Sequence, residues 1–73
     1  MKVTVTVTED GIEVTDPETG NSVAWYYPAD PASGEMLEQF RNLWEGSGLR
    51  AHEFFEAAQA AAAAKMRELG RLK

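Results

Sequence analysis

The stretch Val3-Thr4-Val5-Thr6-Val7-Thr8-Glu9-Asp10-Gly11-Ile12-Glu13-Val14-Thr15 decides the fold, because apolar and polar residues alternate on both sides of a turn signal. A strict period of two marks a strand with one buried face. Asp10-Gly11 is the dipeptide best suited to a two-residue hairpin loop, in which both turn residues take positive φ. That loop sets Glu9 opposite Ile12, Val7 opposite Val14 and Thr6 opposite Thr15. Every valine of the first strand then shares a face with Ile12 and Val14, as a one-sided core requires.

The next connection, Asp16-Pro17-Glu18-Thr19-Gly20, has proline where a type I turn presets φ and glycine where a left-handed residue closes the hairpin. With Asp16 opposite Asn21, Val14 pairs with Val23 and Ile12 with Trp25. Both turns place Val3, Val5, Val7, Ile12, Val14, Val23, Trp25 and Tyr27 on one face. Thr4, Thr6, Thr8, Glu13, Thr15, Ser22, Ala24 and Tyr26 fall on the other. The strands are predicted over about 2–9, 12–16 and 21–27.

Pro28 ends the third strand, and Asp30-Pro31 reads as an N-cap followed by the first residue of a helix. Met36, Leu37, Phe40, Leu43 and Trp44 then recur at three-and-four spacing, which predicts a helix over about 31–45. Gly46-Ser47-Gly48 stops it, and Ser47 is the expected N-cap of a second helix over about 48–69. The apolar stripe of that helix is Ala51, Phe55, Ala58, Ala62, Met66 and Leu69, with Gly70 as its stop. The expected architecture is α+β, a two-layer β-β-β-α-α domain over 1–73. A three-stranded antiparallel meander carries a helical hairpin packed on one face.

Composition narrows the function classes. The 73 residues carry a net charge of −5 and no cysteine, so no disulfide, thiolate nucleophile or cysteine-rich metal site is available. The charge is uneven. Residues 1–63 hold 11 acids against Lys2, Arg41 and Arg50, for −8; residues 64–73 hold Lys65, Arg67, Arg71 and Lys73 against Glu68, for +3. An acidic body opposes nucleic-acid binding, which runs on phosphate neutralisation. The basic end suits the negative end of a helix dipole. No apolar run reaches the roughly 18 residues of a membrane span, and no secretory leader pattern is visible. The chain reads as a soluble monomer that needs no partner.

Catalytic constellations are thin. His52 and Glu56, at i and i+4, share a helix face and could supply two metal ligands, but a catalytic zinc needs three protein ligands and no other histidine or cysteine exists. Ser22, Ser33 and Ser47 sit at turn or cap positions. The glycine spacing fits no phosphate-binding loop. The expectation is a non-catalytic chain with no metal and no cofactor.

Protein binding is the function class the surface could support. Thr4 and Thr6 lie on the uncharged centre of an edge strand, where backbone groups are open to a partner strand. Tyr26 must face outward, Trp44 falls at the margin of the first helix, and Phe54 lies about 100° round the helix from Phe55. Tyr26, Trp44, Phe54, Thr4 and Thr6 are therefore the candidate partner-binding residues. The alanine run, Ala57-Ala58 and Ala60 through Ala64, satisfies helix propensity and close packing, or leaves a flat strip clear for a partner.

The whole chain resembles a computationally designed small protein. The Val/Thr alternation, Asp10-Gly11, Asp16-Pro17-Glu18-Thr19-Gly20, Asp30-Pro31 and the alanine-rich helix ending Lys65-Met66-Arg67-Glu68-Leu69 carry that resemblance. It implies a scaffold with no natural substrate, made to test a fold or to bind a chosen target. The strand–strand–strand–helix–helix order and acidic body are also similar to small phage-encoded inhibitors, including some anti-CRISPR proteins.

Overall fold

Residues at i and i+2 along the first three strands share one face, and that face is where the core forms. In the computed structural model, which describes residues 1–73, β1 is Thr4–Val7, β2 Gly11–Thr15 and β3 Ser22–Tyr26. Ile12, Val14, Val23 and Trp25 are buried against Phe54, Ala58, Ala62 and Met66 of the single long helix, α1, Leu49–Glu68. Val3, Val5, Tyr27, Met36, Leu43, Phe55 and Leu72 pack round the rim. The expected pairs Val14–Val23 and Ile12–Trp25 are present.

The first hairpin keeps its faces but shifts its register. Val7 pairs with Ile12 and Val5 with Val14, so the loop lies at Glu9-Asp10 rather than at Asp10-Gly11. Thr8 closes it, donating its N–H to the Gly11 carbonyl at 2.9 Å and accepting the Gly11 N–H on its hydroxyl at 3.0 Å. No residue of this turn has positive φ. Gly11 is needed for another reason: a Cβ there would collide with the Trp25 carbonyl of β3. A shift of two residues preserves the parity of the side chains, so the core face survives the change.

The expected helix over 31–45 is not formed. The segment contributes instead a fourth strand, β4, Leu37–Asn42, and the sheet order is β1-β2-β3-β4, all antiparallel. The architecture is thus β-β-β-β-α, a four-stranded sheet with one helix, and the three-stranded meander with a helical hairpin is corrected accordingly. The capping signal at Asp30-Pro31 is corrected with it: it closes a single turn and starts no helix. Asp30 accepts the Ala32 N–H at 3.0 Å and the Ser33 hydroxyl at 2.7 Å, and its carbonyl takes the Gly34 N–H at 2.6 Å. One turn forms and ends at Gly34.

A bulge explains how a helical spacing became a strand. Ala24 pairs with Phe40 and Trp25 with Glu38, so Gln39 is the extra residue. Past the bulge the side-chain parity inverts. Met36 and Leu43 turn to the core rim, whereas Leu37 and Phe40 share the opposite face with Tyr26 and Ala24. The five-residue stripe is split between the two sides of the sheet. A helix would have left the β3 edge unpaired; the strand satisfies it, and tertiary pairing outweighs the strong helix propensity of Met-Leu-Glu-Gln.

Helix α1 buries Ala58, Ala62 and Met66 of its expected stripe, but Phe54 takes the central place expected of Phe55. Phe54 is fully buried and Phe55 only half-buried, its ring 5.8 Å from that of Trp25 and 4.1 Å beneath the Arg41 guanidinium. Leu69 is exposed. Ala58 and Ala62 let the helix lie close over β2 and β3. Gly70, at φ 74, stops it as expected, and Arg71 then reaches back to the Met66 carbonyl at 2.7 Å.

Two outcomes follow for stability. Gly11→Ala is expected to cost about 3 kcal/mol in a guanidinium melt, since backbone rather than a mobile side chain occupies the space. Phe54→Ala should cost about 4 kcal/mol and Phe55→Ala about 2 kcal/mol. Equal losses at 54 and 55 would contradict the orientation of the helix.

Candidate functional site

Two places on the molecule concentrate side chains that are not simply core. One is the β2–β3 turn. Asp16 is fully buried there, and Arg50 of α1 grips it with both arms, Nε to Oδ2 at 2.8 Å and Nη2 to Oδ1 at 3.1 Å. The Glu18 N–H and the Thr19 hydroxyl each donate to the same carboxylate at 3.0 Å. Asn21, also buried, donates from Nδ2 to the Ser47 hydroxyl at 3.2 Å and accepts the Trp44 N–H on Oδ1 at 2.6 Å. The turn thereby holds both the start of the helix and the chain leaving β4.

This cluster is closed. No buried side-chain nitrogen or oxygen lacks a partner. The Arg50 guanidinium, helped by the Glu18 N–H and the Thr19 hydroxyl, lowers the Asp16 pKa from 3.8 to about 2, against the opposing effect of burial. Four donors fill the acceptor positions of the Asp16 carboxylate, so its charge is spent within the fold. Ser47, the expected N-cap of α1, is spent here too. Its hydroxyl donates to the Trp44 carbonyl from the 3₁₀ turn Glu45–Ser47, and the N-cap is Gly48 with no side-chain bond.

The other place is the outer face of the sheet, away from the helix. Across it the composition grades from Thr4, Thr6 and Thr15 on β1 and β2 to Tyr26, Leu37 and Phe40 on β3 and β4. Tyr26 pairs directly with Leu37, and Phe40 lies opposite Ala24 on the same face. Leu37 is 68 % exposed, Tyr26 43 % and Phe40 40 %. Trp44, two residues past β4, is 60 % exposed, with its ring laid over Gly46. Lone exposed apolar residues are ordinary on a surface, but a contiguous group marks an interaction site.

The expected partner-binding residues divide. Tyr26 is exposed within the apolar group, Trp44 is exposed beyond β4 beside Asn21, and Thr4 and Thr6 are exposed on the far edge strand of the same sheet. Phe54 is corrected: it is the largest fully buried side chain and cannot meet a partner. Leu37 and Phe40 lie outside the expected set, because their spacing of three reads as a helix stripe until the bulge is known. His52 and Glu56 form an exposed pair at 3.4 Å. An open groove of about 770 Å³ runs between α1, at Gln59, Ala60 and Ala63, and the segment Gly34–Met36. Of the seven alanines of the run, Ala58 and Ala62 therefore pack into the core, whereas Ala60 and Ala63 border this groove.

No family model matches the chain, and no curated protein or solved structure matches it either. No helix is long and apolar enough to cross a membrane.

Breaking the turn cluster tests its structural role. Arg50→Met leaves a buried carboxylate short of its main partner and is expected to cost about 3 kcal/mol in a urea melt. The acid limb has a definite sign. A carboxylate whose folded pKa is depressed contributes stability that is complete above its unfolded value of 3.8 and is lost as pH falls toward about 2. Paired melts of the wild type and Asp16→Asn should therefore differ widely at pH 5 and converge near pH 2.

Proposed function

We propose that this chain is a non-catalytic protein-binding module whose contact surface is the outer sheet face at β3 and β4. One observation carries the reading: Tyr26, Leu37 and Phe40 are exposed together on adjacent strands. A domain of this size has few large apolar side chains to spare. Placing three of them on the side away from the only helix forgoes part of the burial that is worth roughly 1.5–3 kcal/mol for a fully buried side chain. Tyrosine and phenylalanine on a rigid sheet also lose little rotamer freedom on binding, which makes them efficient anchors. The threonine end of the same face supplies a polar margin.

A de novo designed scaffold without a target is the second reading, and separate observations favour it. Every buried polar side-chain atom has a partner, and no residue other than glycine takes positive φ. Such consistency across levels is what design aims for. The two readings part over the patch, since a scaffold has no use for it.

The test is a random peptide library panned against the wild type, with Tyr26→Thr/Leu37→Thr/Phe40→Thr as the comparison. The binding reading expects enriched peptides that lose at least about tenfold in affinity for the triple variant. Its melting midpoint should stay within a few degrees of wild type. Peptides that bind both proteins equally would place the contact elsewhere and overturn the reading, and a triple variant that barely folds would instead make these residues structural.

A further inference from the structure

β4 is a free edge that carries charge. Tyr27 donates its N–H to the Asp10 carbonyl at 3.0 Å, and Asp16 donates to the Asn21 carbonyl at 2.8 Å. By the alternation of an antiparallel ladder, Val23 and Trp25 turn their backbone groups to β2, and Ser22, Ala24 and Tyr26 turn theirs to β4. Their partners Asn42, Phe40 and Leu37 bond inward, which leaves the N–H and C=O of Glu38 and Arg41 pointing off the sheet. The bulge at Gln39 puts Glu38 and Arg41 on one face, where their side chains meet at 2.7 Å.

A carboxylate and a guanidinium on a free edge deter a generic strand. One strand complements both charges at once, and it is the same sequence run antiparallel. We propose that β4 pairs with β4 of a second copy of this chain about a two-fold axis between Gln39 and Phe40. Glu38 then lies opposite Arg41 of the second copy, and Arg41 opposite its Glu38. Both members of each pair are on the helix face and both present their backbone outward, which is the condition for a hydrogen-bonded pair. A shift of one residue opposes side chains of different faces, and a shift of two sets Arg41 against Met36 and forfeits the charges.

The axis runs perpendicular to the sheet, so both helices remain on one side. The two Tyr26–Leu37–Phe40 groups join on the other side and stay exposed. This pairing goes beyond the binding role proposed above and does not depend on it. The β1 edge, Thr4–Val7, has no charge with which to select a partner. An interface built on one six-residue strand lies at the small end of specific contacts, so the dimer should come apart on dilution.

Sedimentation of the full chain between about 10 µM and about 1 mM tests this. The mass should rise from 8.0 kDa toward twice that value. Glu38→Lys and Arg41→Glu each bring like charges together at both symmetry-related pairs, and each should weaken association at least about tenfold. Mixed in equal amounts, the two variants should form a heterodimer, because each supplies the charge the other's edge now lacks. Circular dichroism melts confirm that both variants are folded. A wild type that stays at 8.0 kDa, singles that still dimerise, or a mixture that fails to recover would each overturn the proposal. Peptide binding at the outer face is read separately, so a failure here leaves that role standing.

Discussion

The bidentate bond from Arg50 to the buried Asp16 is the constraint on which the rest of the structure depends. A helix joined to the sheet only by apolar contacts can slide or rotate, since hydrophobic burial has no direction. Two hydrogen bonds with fixed geometry remove that freedom at the helix N-terminus. They also explain how α1 manages without a side-chain cap, since its first turn is pinned from outside. Asn21 extends the same anchor to Trp44 and Ser47, so one turn fixes the start of the helix and the exit from β4. With that end held, Phe54, Ala58, Ala62 and Met66 come into register over Ile12, Val14, Val23 and Trp25.

The far end is held by weaker means. The Lys73 N–H reaches the Pro31 carbonyl at 2.8 Å, and the Arg71 guanidinium lies 4.7 Å over the Tyr27 ring. Arg67 donates to the Lys73 carbonyl at 3.0 Å. The basic end thus does more than complement a helix dipole. It closes the chain against the segment between β3 and β4.

Some elements were legible because their determinants are local. The second hairpin was read with its register, since Asp16, Pro17 and Gly20 specify the turn and valines on both sides specify the faces. The first hairpin was read to the correct faces and the wrong loop. Its glycine answers to the Trp25 carbonyl on a neighbouring strand, and no window around Asp10-Gly11 contains that information. The candidate site was half legible for the same reason. Tyr26 follows from alternation within β3, whereas Leu37 and Phe40 follow from a bulge that exists only against Ala24 and Trp25.

By itself the sequence determined the strands of the first 27 residues, their core face, the long helix and its stop at Gly70. Period-two alternation, turn residues and helix propensity act over a few neighbours, so they can be read along a line. Only the tertiary structure decided that residues 37–42 are a strand, that Phe54 rather than Phe55 fills the core, and which apolar residues stay in solvent. An apolar spacing of three is compatible with a helix and with a bulged strand alike. The choice falls to whichever arrangement satisfies the open edge of β3, and that edge lies outside the segment that has to choose.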